Sequence, residues 1–189
     1  QVITITDLTA PTWTTAAGAL DATLECSDAA GIAAAQAQFP VASDNCDGDV
    51  TNIVKVSGAF VAGSCPNAGT YTNTWTVTDD CGNTSAVYTQ VITITDLTAP
   101  TWTTAVGSLN RSVECSNTSG LAAAQALFPV ASDNCDANVT NIVKVSGAFV
   151  SGSCPNAGTY TNTWRVTDDC GNTSSVYTQV ITLTDLTAP

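Results

Sequence analysis

The sequence predicts a mostly β protein: antiparallel β-sandwiches in tandem, each closed by one short helix and by disulfides. Three observations carry this. The chain repeats itself, with residues 1–89 returning as 90–178 with 16 of 89 positions changed and no insertion. Within one repeat, short runs rich in Thr, Val and Ile alternate with turn-forming Asp, Asn, Gly and Pro, as strands of a small sandwich do. Each repeat also holds four cysteines at matched offsets. The segment QVITITDLTAP opens both copies and comes back at residue 179 as QVITLTDLTAP. Repetition at a fixed period is expected of a slice of a longer tandem array, which supplies length rather than chemistry. The expected boundaries are 1–10 for the end strand and linker of a preceding repeat, 11–99 for repeat 1 and 100–188 for repeat 2.

Each element follows from its pattern. Gln1 to Thr6 alternates with Ile3 and Ile5 on one face, which should turn inward. Asp7 to Pro11 breaks that strand, and Thr12 to Thr15 restarts it. Ala22 to Cys26 reads as a short strand. Ser27 to Phe39 is alanine-rich and ends at Pro40, so it predicts a helix with Ser27 as N-cap and Ile32, Ala35 and Phe39 on its packed face. Val50 to Val56 is a strand of irregular facing, and Ser57-Gly58 turns it toward Ala59 to Ala62. Thr70 to Thr78 alternates most clearly, with Tyr71, Asn73, Trp75 and Val77 opposing a row of threonines. Cys81-Gly82-Asn83 then turns the chain into a last strand, Ser85 to Thr95. Trp13 and Trp75 are read as core residues rather than a sugar-binding platform, because tryptophan in a small β-domain is mostly buried.

Composition excludes several functions. Sixteen acidic residues face four basic ones, a net charge of −12, which repels nucleic acid and anionic membrane surfaces. No stretch reaches the roughly 20 apolar residues of a membrane-spanning helix, so no membrane insertion is expected. The chain has no histidine and no CxxC pair, so zinc spacing and Ser-His or Cys-His couples are lacking. The adjacent carboxylates Asp79 and Asp80 do not form a glycosidase pair by spacing alone. We therefore expect no enzyme and no catalytic residue. An even number of cysteines at matched offsets is a disulfide framework formed in an oxidising compartment. All eight are expected in bridges: Cys26, Cys46, Cys65, Cys81, Cys115, Cys135, Cys154 and Cys170. A crosslink between Lys55 and an asparagine, promoted by Glu25, is a further idea, although a solvent-facing Lys and an ordinary Glu explain these residues better.

The run of motifs is specific. DLTAP stands between repeats, ASDNCD follows a proline, GSCP precedes a strand, and TWTVTDDCGNTS leads into QVITITDLTAP. Together they resemble the HYR-like repeat, an immunoglobulin-like module strung in many copies along giant secreted bacterial surface proteins such as the SprB-type gliding-motility adhesins. The likeness covers the whole unit and its four cysteines, although the alanine-rich helix is long for the pattern. It implies immunoglobulin-like sandwiches, an extracellular, cell-surface location, export by type IX secretion, and adhesion or gliding through contact with surface polysaccharide and with neighbouring repeats. Among the three possible pairings, Cys65 with Cys81 is disfavoured because a long strand separates them. Cys26 with Cys81 and Cys46 with Cys65 is preferred, by analogy with the cross-sheet bridge of immunoglobulin domains. Cys46 with Cys81, joining the two acidic loops and leaving Cys26 with Cys65, is nearly as attractive.

The acids gather in three places: the linker (Asp7, Asp96, Asp185), the loop SDNCDGD and the loop TDDCGN. Counting strands back from the exit strand puts the last loop at the end where the preceding linker enters. If the other loop shares that end, its carboxylates suit Ca²⁺, which takes six to eight oxygen ligands. The candidate ligands are Asp7, Asp44, Asp47, Asp79, Asp80, Asp96, Asp133, Asp136, Asp168 and Asp169. The linker is similar to the Asp- and Pro-containing linkers of cadherins, where calcium stiffens the joint. Asx turns explain the same aspartates locally. Asp49 becomes Asn138 in the second copy, which weakens its candidacy. A calcium-dependent carbohydrate-binding module is the alternative to a passive stalk.

Overall fold

The structure is a computed structural model and describes residues 1–187. It divides into two compact units, the first Gln1–Asp96 and the second beginning at Leu97. Each is a mostly β, immunoglobulin-like sandwich with one helix.

In the first unit the main sheet is ordered β2 (Ala22–Glu25), β7 (Tyr88–Thr95), β6 (Gly69–Val77), β4 (Ile53–Ser57), and β5 (Val61–Ala62) pairs the other half of β6. A two-stranded sheet of β1 (Thr12–Trp13) and β3 (Ala42–Ser43) and the helix α1 (Ala29–Gln36) form the second layer. The second unit repeats this order as β8 (Thr101–Trp102), β9 (Arg111–Glu114), α2 (Thr118–Gln125), β10 (Ala131–Ser132), β11 (Ile142–Ser146), β12 (Val150–Ser151), β13 (Gly158–Val166) and β14 (Tyr177–Thr184).

One pairing departs from the all-antiparallel expectation. β2 runs parallel to β7, Leu24 opposite Ile94, whereas β6 runs antiparallel to it, Gly69 opposite the same Ile94. The last strand of the unit therefore lies inside the sheet, hydrogen-bonded on both sides.

Period-two alternation decides the faces. Asn73, Trp75 and Val77 of β6 are buried with Tyr88, Gln90, Ile92 and Ile94 of β7, and the intervening threonines point outward. Ile92 and Ile94 pack with Ala35 of α1, flanked by Leu24, Ile32 and Tyr71. Edge-on aromatic contacts continue the core through Trp13, Tyr88, Trp75 and Phe39, with neighbouring ring centroids 5.6–6.1 Å apart. Trp75 is a core residue as expected, and half-buried Trp13 donates its indole N–H to the Ala86 carbonyl at 2.7 Å.

Two expectations shift. The helix is capped by Asp28, whose carboxylate accepts from the Gly31 N–H at 2.9 Å, rather than by Ser27. Phe39 lies past the helix end and reaches Trp75 from there. Gln1 to Thr6 forms no strand, and Ile3 and Ile5 are exposed, because no β2 or β6 flanks that copy of the sequence. Asp185 belongs to the described chain; Ala188 and Pro189 lie outside the described residues.

The acidic end and the cysteines

The main sheet has two ends. At the entry end β6 finishes, β7 begins, and the turn between them closes through the Thr78–Thr84 bridge and a bond from the Ser85 N–H to the Val77 carbonyl, 2.9 Å. At the exit end β7 and β2 finish and β6 begins. This polarity sorts every candidate residue.

At the entry end the carboxylates of Asp7, Asp44 and Asp79 converge, with one oxygen of each within 4.8 Å of the others. Asp79 is buried. Its Oδ1 accepts from the N–H of Cys81 at 3.0 Å and of Asn83 at 2.7 Å, and its Oδ2 accepts from the Asn83 amide at 2.8 Å. Burial pushes this carboxyl up, but the bonds from the Asn83 side chain and from the backbone N–H groups of Asn83, Cys81 and Gly82 together outweigh it and hold the pKa below its ordinary value. Asp44 Oδ1 accepts from the N–H of Cys46 and Asp47 at 2.9 and 3.1 Å, while its Oδ2 is buried without a hydrogen-bond partner. Asp7 Oδ1 accepts from Thr9 N–H, and the Asp7 carbonyl accepts from the Asn83 amide at 3.3 Å. Asp47 joins the two loops, its Oδ2 accepting the Asp80 N–H at 3.3 Å. Asp80 itself is exposed. Asp96 lies instead just past β7 at the exit end of this unit, where it is buried.

The second unit keeps the same loop geometry. Asp133 Oδ1 accepts from Cys135 and Asp136 N–H, Asp168 Oδ1 accepts from Cys170 and Asn172 N–H, and Asp136 Oδ2 accepts from Asp169 N–H at 3.3 Å. Asn138, in place of Asp49, keeps the same turn bond to Asp136, so position 49 serves the turn with or without charge.

Sequence reasoning missed a second group, at the exit end. Glu114, Cys115 and Asp185 each place a ligand atom within 4.8 Å of the others, and Glu114 accepts from the Leu186 N–H at 3.2 Å. Glu114 was read only as an ordinary or crosslink-promoting acid; its signal was its position one residue before a cysteine at a strand end. The crosslink idea fails on placement. Lys55 faces inward on β4, over the rings of Trp75 (5.2 Å) and Phe39 (5.7 Å) and bonded to the Gln36 carbonyl. Glu25 sits on β2 at the opposite edge of the sheet, opposite outward-facing Thr95.

Cys26, Cys65, Cys135 and Cys170 are each disulfide-bonded, whereas Cys46, Cys81, Cys115 and Cys154 are thiols. The preferred pairing of Cys26 with Cys81 is thus not formed, and the topology says why. That preference took the strands closed by these cysteines to run in the same sense. Because β2 is parallel to β7, it runs against β6, so Cys26 lies at the exit end and Cys81 at the entry end. The nine residues of β6 hold the two ends roughly 27 Å apart, and a disulfide spans Cα atoms only about 4.4–6.8 Å apart. Cys46 with Cys65 fails for the same reason.

No curated protein matches this chain. Among solved structures it is similar to Drosophila N-cadherin EC1-4, at 14% identity and TM-score 0.40, covering 94% of this chain and 50% of that one. It is also similar to human protocadherin-24 EC1-2, at 14% identity and TM-score 0.34, covering 95% of this chain and all of that one. The chain spans about half the length of the N-cadherin fragment. Residues 5–94 and 104–183 match the HYR-like domain with 4 cysteines, nearly the whole of both repeats, and the chain belongs to that family.

Proposed function

We propose that this chain is a structural segment of an extracellular stalk or filament that extends a bacterial cell-surface adhesin and transmits force in adhesion or gliding. As tandem HYR-like modules, the repeats are extracellular, non-enzymatic and adhesion-type. The observation that carries the finer reading is the position of β7. The strand that hands the chain to the next linker is held between β2 and β6 along its length. A pull along it loads those ladders in shear, all bonds together, rather than peeling an edge one bond at a time. Modules taken as 11–99 and 100–188 then act in series, with neighbouring repeats as partners and a surface polysaccharide as the target of the whole protein. A SprB-like architecture with type IX export fits the same reading.

Small-angle scattering on two-repeat and four-repeat proteins tests the stalk. The maximum dimension should rise in proportion to repeat number; a four-repeat particle hardly longer than the two-repeat one overturns it.

A second reading, a calcium-dependent module that also holds carbohydrate, draws on the convergence of Asp7, Asp44 and Asp79. These residues fit a hard cation: they offer only oxygen, and Asp44 Oδ2 is a buried acceptor with no donor. Bound calcium would neutralise their mutual repulsion. Thermal unfolding in millimolar Ca²⁺ and in chelator tests it. An upward shift that Asp79→Asn and Asp44→Asn abolish supports the site, and an unchanged midpoint retires it. Binding of isolated repeats to a glycan array separates a carbohydrate module from a passive stalk.

A further inference from the structure

We infer that the open edge of each main sheet, β4 in the first repeat and β11 in the second, pairs antiparallel with the same strand of a second molecule of this chain, joining molecules side by side.

The backbone leaves this edge unsatisfied. Among the described residues β4 pairs with no strand but β6, and β11 with no strand but β13, so each has one side free. In an antiparallel ladder every second residue exchanges its N–H and C=O with the neighbouring strand, and the residues between point theirs the other way. The Gly58 N–H meets the Thr72 carbonyl at 3.0 Å, one step past the Ser57–Asn73 pair. Gly58, Val56 and Val54 therefore bond toward β6, and Ile53, Lys55 and Ser57 present their backbone groups to the open side. The Ile53 N–H is already used, turning back to the Thr51 carbonyl at 2.7 Å, as the Ile142 N–H turns back to Thr140. What the edge still offers is the N–H of Lys55 and Ser57 and the C=O of Ile53, Lys55 and Ser57.

That set complements itself. A two-fold axis through Lys55 sets this residue against its own counterpart, each N–H donating to the other's carbonyl. The Ser57 N–H of each molecule then meets the Ile53 carbonyl of the other, and the satisfied Ile53 N–H is not needed. On the outer face Val54 comes against Val56 across the axis. These valines are 60% and 64% exposed, and their counterparts Val143 and Val145 are 64% and 63% exposed. Pairing them takes β-branched apolar surface out of water.

Charge selects the occupant. Two molecules that each carry −12 repel one another unless they meet where carboxylates are lacking. None of the sixteen acidic residues lies on β4 to β7 or on β11 to β14. The charges on these strands are the cations Lys55, Lys144 and Arg165. Lys55 leans away from the open side, over Trp75 of β6, with its ammonium bonded to the Gln36 carbonyl. Two such lysines at the axis thus carry their charges away from each other, and Lys144 takes the same place over Trp164. The opposite edge, β2, is a shorter strand and carries Glu25. The inference goes beyond the stalk reading and does not rest on it, since modules in series and molecules side by side are separate arrangements.

Sedimentation and residue-resolved amide exchange of the two-repeat protein, at micromolar and at millimolar concentration in physiological salt, test the pairing. At millimolar concentration the mass should rise toward that of a dimer. The Lys55, Ser57, Lys144 and Ser146 amides should then slow by about tenfold or more, while the Val54 and Val56 amides, bonded to β6, are slow throughout. Val56→Glu combined with Val145→Glu alters exposed positions, so the near-ultraviolet circular dichroism should stay unchanged while dimer and protection are both lost. A protein that stays monomeric at millimolar concentration overturns the inference. So does a dimer whose Lys55 and Ser57 amides exchange as fast as in the dilute protein, or one that the double variant leaves intact. Protection of these amides only on adding a soluble polysaccharide overturns it as well, and assigns the edge to a glycan.

Discussion

The carboxamide of Gln90 is fully buried, and its nitrogen donates to the carbonyls of Leu20 at 2.6 Å and Ala35 at 3.1 Å, which pins α1 and the segment before β2 onto β7. Its oxygen accepts from Asn73, whose amide also reaches Gln36. Gln179, Asn162 and Gln125 repeat the network. Gln90→Leu keeps the volume but leaves the Leu20 carbonyl without this donor and one Asn73 N–H without this acceptor, each worth about 1–3 kcal/mol. We expect a destabilisation of roughly 2–4 kcal/mol by urea unfolding, far more than a surface Gln→Leu change produces. Asp79 yields a pH dependence. Its folded pKa lies below the ordinary carboxylate value, so the unfolded chain binds more protons as the pH drops toward the folded value. The stabilisation is complete above the unfolded pKa, about 3.9, and drains away as pH falls through the folded one. Asp79→Asn should lower stability at neutral pH and flatten the acid limb of the stability curve; an unaltered acid limb would show that Asp79 does not carry it. The alternation of β6 placed Asn73 and Trp75 on the inner face from sequence alone, but a polar network through Gln90 was not legible, because nothing local pairs residues 17 and 55 positions apart.

Strands, helix and turns were legible to within a few residues wherever one face alternates or a breaker ends the run. The helix shows both sides of this. Pro40 and the alanines announced it, yet the cap moved from Ser27 to Asp28 because a carboxylate reaches the Gly31 N–H and leaves Ser27 in the preceding turn. Asp28→Ala should cost about 1 kcal/mol, and Asn117 performs the same service in the second unit. Gly58 matters more. It sits where the edge strand crosses β6, and a Cβ there would lie 2.2 Å from the Thr72 carbonyl oxygen. Gly58→Ala must push the edge strand off β6. We expect it to cost at least about 2 kcal/mol, read by chemical denaturation, with Gly147→Ala equivalent; a loss no larger than that of Asp28→Ala would show that the edge yields without penalty.

At the scale of the molecule, stability depends in part on the disulfides. Reducing the bonds of Cys26, Cys65, Cys135 and Cys170 should lower stability to urea by about 2–4 kcal/mol per bridge; an unchanged midpoint in reductant would show that the bridges do not carry it. Repetition, tandem β-modules, an even disulfide set and acid gathered in loops were all determined by the sequence itself, since periodicity and turn chemistry are local properties. Which end of the sheet each cysteine reaches was not, because it hangs on the direction of β2, and a four-residue strand carries no mark of whether its neighbour runs with it or against it. The segment QVITIT makes the division plain. At Gln1 to Thr6 it is in no strand and exposed, and at Gln90 to Thr95 the same six residues belong to the central strand of a sheet. Its alternation says which side turns inward. Only the strands on either side, which supply both the hydrogen bonds and the core, decide whether there is an inside to face.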